Sequence, residues 1–201
     1  YYAPQGWTSD DTDAAERVKI QYGTSMCYPV SSMGSHVSVV PNHQLNRSTP
    51  LHTRANVAYF GTFGYELDLN KLSAEEICQV KEQIAFMKEY RELIQFGSFY
   101  RLKSPFEGNE TVWMTVSQDK KRALVFWYRE RNLVNADYTR VRLQGLDPDF
   151  VYRNEYNGTE NYGDELMNLG LITTDGTAGE PTCEDAPCTD YESRIYVLTA
   201  R

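Results

Sequence analysis

The chain has 201 residues, 41% of them hydrophobic. That is enough for one large or two small domains with a buried core, and too apolar for wholesale disorder. A formal net charge of −8, with a pI near 4.9, argues against nonspecific binding to nucleic acid or to an anionic membrane. No run approaches the roughly 20 apolar residues of a membrane span.

The N-terminal stretch Tyr1-Tyr2-Ala3-Pro4 lacks an initiator Met and a charged leader, and reads as a processed or cut end. Next comes Trp7-Thr8-Ser9-Asp10-Asp11-Thr12-Asp13, with three carboxylates in four positions beside an indole. Two readings stand. Asp and Thr cap helix N-termini and meet the positive end of the helix dipole. A carboxylic acid near an aromatic face also suits the cutting of glycosidic bonds. A helix is predicted over 12–22, with Thr12 as N-cap and Gly23 as its stop. Ser25 to Val30 reads as a short buried strand. Ser31 to Pro50, rich in Ser, Gly, Pro, His and Asn, reads as a long structured loop with short helical or extended pieces.

Thr53 to Phe60 reads as helix leading into Gly61-Thr62-Phe63-Gly64. Ser73 and Glu76 form a capping box, and a helix follows to about Ile94 with Ile77, Val80, Ile84, Met87 and Leu93 at helical spacing. After Gly97 the period changes to two. Strands are predicted at 111–116, 123–128, 139–143, 150–153 and 193–198, separated by turn material, as in an antiparallel sandwich. The chain therefore divides near residue 96 into a helix-rich front, which reads as the end of a larger βα fold, and an all-β back.

Three sequons occur, at Asn46, Asn109 and Asn157, and all lack Pro in the middle. Cys183 and Cys188 bracket Glu-Asp-Ala-Pro in a loop without a core, which suits a short disulfide staple. No second Cys or His pair accompanies them, so no metal is expected. Cys27 and Cys78 lie in apolar-periodic surroundings and are expected to be buried thiols or partners of Cys outside this chain. Sequons and cysteines together predict a secreted, extracellular glycoprotein.

The run at 7–14, with Glu16-Arg17 and Lys19-Ile20-Gln21-Tyr22-Gly23-Thr24-Ser25, resembles glycoside hydrolase family 36, the large α-galactosidases. So do Met33-Gly34-Ser35-His36-Val37-Ser38, Pro41-Asn42-His43-Gln44, Thr49-Pro50-Leu51 with Thr53-Arg54, and Gly61 to Leu69. Phe99-Tyr100-Arg101-Leu102, Ser104-Pro105-Phe106 and Gly163 to Asn168 continue the match in order. The resemblance implies that residues 1–96 are the last βα units of a (β/α)8 TIM barrel. Residues 97–201 would be a C-terminal antiparallel β-sandwich domain.

The implied reaction is hydrolysis of terminal α-galactosyl residues, as in melibiose and raffinose-type sugars, with retained configuration and no cofactor. Partners would be α-galactosides, the upstream part of the same enzyme and further copies of itself, by resemblance a tetramer. The resemblance carries the acid/base onto Asp11, with Asp10 as second choice and otherwise a sugar contact. Trp7 would wall the sugar or pack the barrel, and Asp13 would serve the helix N-terminus. The nucleophile motif of the family is absent, so that residue is expected upstream. His36 and His43 are expected to be structural. Galactose versus N-acetylgalactosamine specificity, and hydrolysis versus galactosyl transfer, stay open at this stage. So does a noncatalytic sugar-binding or oligomer-forming module, with Trp113 and Trp127 as stacking candidates, although their alternating neighbours suggest core.

Overall fold

A computed structural model describes residues 3–133, 139–173 and 190–201. The chain forms two compact units, Tyr1–Phe96 and Gly97–Arg201.

The first unit is a βαβαβ run closed by a long helix. Strands β1 (Gly6–Trp7), β2 (Met33–Ser38) and β3 (Thr62–Glu66) form a parallel sheet in that order, with Trp7 opposite Gly34, His36 opposite Gly64 and Ser38 opposite Glu66. Helix α1 (Ala14–Thr24) connects the first two strands and α2 (Leu51–Ala58) the next two. Alternation splits β2 cleanly. Met33, Ser35 and Val37 are buried on the α2 side, where the Ser35 hydroxyl donates to the carbonyl of Ala58. Gly34, His36 and Ser38 take the other face.

Polar side chains close the helix ends. Gln21 Nε2 donates to the carbonyls of Val57 (2.9 Å) and Phe60 (3.2 Å), which α2 cannot satisfy itself. Buried Arg54 donates to the carbonyls of Ser38 and Thr49. Gly61 is required by space, since a Cβ there would lie 2.5 Å from Ser35 Oγ.

Helix α3 (Ala74–Phe96) starts on the predicted capping box: Ser73 N–H donates to Glu76 Oε2 (2.8 Å) and Glu76 N–H to Ser73 Oγ (3.1 Å). It buries Val80, Met87 and Leu93, while Ile77 and Ile84 stay exposed. An aromatic ladder of Phe63, Tyr59, Phe86 and Tyr90 packs α3 onto β3 and α2.

Four expectations for this unit are corrected. The N-cap of α1 is Asp13, not Thr12; its carboxylate accepts from the N–H groups of Ala15 and Glu16. Asp is the stronger cap, and Thr12 is instead buried against Asn42. Gly23 does not end α1, which runs one residue further. Ser25–Val30 is not a strand: its N–H groups keep pairing with carbonyls of the last turn of α1, and Met26 and Tyr28 are exposed. Cys27 sits in that turn and Cys78 on the outer face of α3, so both thiols are exposed, not buried.

The second unit is a six-stranded antiparallel sheet. Its strands are β4 (Ser98–Lys103), β5 (Glu110–Val116), β6 (Arg122–Arg129), β8 (Val151–Asn154), β9 (Glu160–Tyr162) and β11 (Glu192–Ala200). The spatial order is β4-β5-β6-β11-β8-β9, so the last strand inserts between β6 and β8. A separate ribbon pairs β7 (Arg140–Val141) with β10 (Leu171–Ile172), and α4 (Gly163–Asn168) leads into β10. On one sheet face Val112, Met114, Val116, Val125, Trp127 and Tyr196 pack with Val141, Leu143, Leu146, Leu166 and Leu171 from the ribbon, the loops and α4. The predicted strand at 139–143 is thus only two residues long, because Leu143 turns away to pair with Leu166. Cys183 and Cys188 lie outside the described residues.

Candidate active site

The loop after β1 carries the acidic run. In an α/β sheet, functional groups collect beyond the carboxyl ends of parallel strands, and residues 8–13 leave the carboxyl end of β1. Side chains hold this loop from both sides. Arg17, only 2% exposed, reaches back from α1, donating to the Thr8 hydroxyl and to the Ser9 carbonyl at 2.7 Å. Burial lowers its pKa, and the carboxylates of Glu66, Asp11 and Asp10 oppose that shift, in that order. From the 39–50 loop, Asn42 Nδ2 donates to Thr12 Oγ1 and Arg47 forms an ion pair with buried Asp13.

The three carboxylates have different duties. Asp13 is the helix cap. Asp11, half-buried, turns Oδ1 to the N–H of Asp13 at 3.0 Å, and its own N–H donates to Ser9 Oγ. Asp10 is exposed and makes no such backbone turn; its Oδ1 accepts from Trp7 Nε1 at 3.2 Å. The Trp7 indole is 53% exposed, and a hollow lined by Gln5, Gly6, Trp7, Thr8, Tyr28 and Met33 opens beside it. An exposed indole joined to an exposed carboxylate can offer a flat apolar face to a sugar and a proton donor to its glycosidic oxygen.

Behind Trp7 lies His36. The two rings stack with centroids 4.5 Å apart and planes 30° apart. The imidazole occupies space left by two glycines: a Cβ on Gly64 would stand 3.2 Å from His36 Cδ2, and one on Gly34 3.5 Å from Cε1. Burial lowers the His36 pKa, Arg17 adds to that and Glu66 opposes it. Arg17 and Glu66 had no assigned role from the sequence, and His36 was expected only to be structural. Their signal was spatial, since only strand pairing brings positions 7, 36 and 64 together.

The other candidates lie apart from this cluster. His43 is exposed in the 39–50 loop. Asp68 caps the turn at Leu69–Lys71, accepting from Asn70 N–H. Asn46 is exposed, with φ 52°. Asn109 spends its amide on a two-way pairing with the Arg131 backbone. Exposed Asn157 accepts from Thr159 N–H and Oγ1. Trp113 and Trp127 are 1% and 0% exposed, which removes them as sugar-stacking surfaces. Among the described residues no group of His, Cys, Asp and Glu is arranged to hold a metal, and no helix is long and apolar enough to cross a membrane.

The structure thus gathers carboxylates beside an indole at the carboxyl end of a parallel strand of an α/β unit. Residues 1–97 match the Melibiase family and residues 110–198 the glycosyl hydrolase family 36 C-terminal domain. α-Galactosidase AgaA of Geobacillus stearothermophilus is 55% identical over 171 residues, covering 85% of this chain and 23% of its own. α-Galactosidase 1 of Pediococcus pentosaceus is 46% identical over 200 residues, covering 100% of this chain and 26% of its own. The crystal structure of AgaA superposes on the whole chain with a TM-score of 0.91 at 49% identity, over 26% of its length. Variants of AgaA have been crystallised in complex with raffinose and with stachyose. The chain belongs to glycoside hydrolase family 36. It spans about a quarter of the length of the curated relatives it matches.

Proposed function

We propose that the protein carrying this chain is a retaining α-galactosidase that removes terminal α-D-galactosyl residues from melibiose and raffinose-type oligosaccharides. Similarity to named α-galactosidases along the whole chain supports this, as do the raffinose and stachyose complexes of AgaA. In this reading residues 1–96 are the final βα units of the catalytic barrel. Residues 97–201 are the C-terminal antiparallel β domain, a sandwich in which the β7–β10 ribbon and α4 cover the large sheet.

The observation that carries the reading is the acidic loop beside Trp7 at the carboxyl end of β1. We keep Asp11 as the acid/base, with Asp10 as second choice and otherwise a sugar contact. Asp11 is half-buried and accepts from the Asp13 N–H, which fixes its carboxyl group in the loop. Asp10 is exposed beside the indole. Protonated Asp11 gives its proton to the glycosidic oxygen while a second carboxylate, roughly 5–5.5 Å away in a retaining site, attacks the anomeric carbon. The aglycone leaves and a galactosyl ester forms. Asp11, now ionised, takes a proton from the water that attacks the ester, releasing galactose. We place the nucleophile in the part of the barrel beyond this chain.

Substitution at both carboxylates tests the assignment. Asp11→Asn is expected to lower turnover of raffinose by about 10²–10⁴-fold. It should spare galactosides with activated aryl leaving groups, with azide trapping α-galactosyl azide. Asp10→Asn is expected to lose far less. The reverse pattern would move the role to Asp10.

Secretion, a Cys183–Cys188 disulfide and assembly into a homo-oligomer remain part of the proposal. If glycans are carried, exposed Asn46 and Asn157 suit them better than Asn109, whose amide is engaged. Mass loss on deglycosylation is the direct check.

A further inference from the structure

The turn after β2 reaches the acidic loop on both sides of Asp11. Gln44 Nε2 lies 3.5 Å from the Asp10 carbonyl oxygen, Asn42 Nδ2 lies 3.3 Å from Thr12 Oγ1, and Arg47 pairs with Asp13. Of the three, the middle contact joins two buried side chains, Asn42 at 4% exposure and Thr12 at 8%. Asn42 is also the hub of its own turn. Its N–H donates to the Arg47 carbonyl and its carbonyl accepts from Asn46 N–H. Its Oδ1 accepts from the N–H groups of Gln44 and Leu45, each at 2.9 Å. With Oδ1 so engaged the amide can turn only one way, and Nδ2 faces Thr12.

What Thr12 controls is the donor to Asp11. Asp11 Oδ1 accepts from Asp13 N–H at 3.0 Å, and that N–H belongs to the peptide group between Thr12 and Asp13. A peptide group is planar, so the tilt of this plane aims the bond. Its Asp13 end is held by the cap of α1. Its Thr12 end is held by the Thr12 side chain, whose polar partner is Asn42. We propose that Asn42 is a positioning residue for Asp11, acting through Thr12: the buried amide fixes the Thr12–Asp13 peptide, and the N–H of that peptide fixes the carboxyl group that protonates the glycosidic oxygen. This deepens the assignment of Asp11 and rests on it. The acid thus takes its aim from the loop of the neighbouring strand as well as from its own.

The test uses the intact enzyme, two substrates and a double-mutant cycle. Raffinose needs its leaving oxygen protonated; 2,4-dinitrophenyl α-galactoside does not, and its kcat/KM reports the glycosylation step alone. Thr12→Val keeps the volume and removes the hydroxyl. Asn42→Ser keeps an oxygen for the turn and cannot reach Thr12. Each is expected to lower kcat on raffinose by about 10-fold, with KM and the aryl kcat/KM changed less than about threefold. Thr12→Ser, which retains the hydroxyl, should keep most of the turnover. The double variant should be little worse than either single one, because both break the same contact. If Asn42→Ser does not fold, Thr12→Val against Thr12→Ser carries the test by itself. A merely structural role lowers both substrates together or makes the two losses multiply; either result overturns the proposal, as does parent-like turnover of raffinose in Thr12→Val. Asp11→Asn, run alongside, separates the two failures. If it is impaired on raffinose while Thr12→Val is not, only the role of Asn42 falls. If it is not impaired, the acid assignment falls and takes the role of Asn42 with it.

Discussion

Trp7, Asp10 and Asp11 stood out in the sequence because carboxylates crowd an indole there, but the hydrogen-bond partners of each carboxylate did not. Adjacent residues of one type are equivalent in a string. They differ once the backbone turns, and here one carboxylate closes the turn while the next faces out. His36 shows the same limit, since its spacing from Trp7 carries no information until β1 and β2 pair. Its burial also has a consequence for acid stability. The folded pKa lies below the ordinary value near 6.5, so between the two values the unfolded chain binds the extra proton. The stabilisation is complete above about pH 6.5 and is lost as pH falls through the lowered folded value. The midpoint of thermal unfolding should therefore drop between pH 7 and 5 by less in His36→Phe than in the parent protein.

Helices announced themselves better than the parallel strands. The capping box at Ser73 is a local device, and both of its hydrogen bonds form. Strands β2 and β3 escaped because they lack the β-branched run of a buried parallel strand. Gly34, His36 and Gly64 stand where Val or Ile would be expected, since that face makes room for the ring stack. Two element-level outcomes follow. Asp13→Ala removes the cap of α1 and one of the partners of Arg47, and should cost about 1–2 kcal/mol in denaturant unfolding, with Asn recovering most of it. Gly163→Ala would drive a Cβ to 1.9 Å from the Asp147 carbonyl oxygen. The start of α4 must then shift, with a loss of about 3 kcal/mol or more in the same measurement.

At the level of the whole molecule, each unit carries its own core. The first depends on tyrosines whose hydroxyls titrate abnormally. Burial, reinforced by Tyr65, raises Tyr59 well above the ordinary phenol value, and burial pushes Tyr65 up to about 12. Unfolded phenols lose their protons near pH 10. The stabilisation from these groups is present below that and lost as pH rises through the folded values. Thermal unfolding followed from pH 9 to 11.5 should show a fall that Tyr65→Phe reduces.

Sequence alone determined the change of period near residue 96, the presence of the helices at 51–58 and 74–96, the first with its bounds set two residues late and the second two residues short at its end, four of the five strands predicted in the second unit in nearly their full length, and the family resemblance carried by contiguous blocks. These are properties of neighbours along the chain: caps, alternation, motifs. Tertiary structure decided which carboxylate of the Asp10–Asp11 pair turns to the backbone and which faces out, that β2 is the central parallel strand, and that His36 backs Trp7. It also decided that Trp113 and Trp127 are core and that β11 inserts between β6 and β8. Each of those depends on residues far apart in the chain meeting across a sheet, where space and charge, not spacing, select the contact.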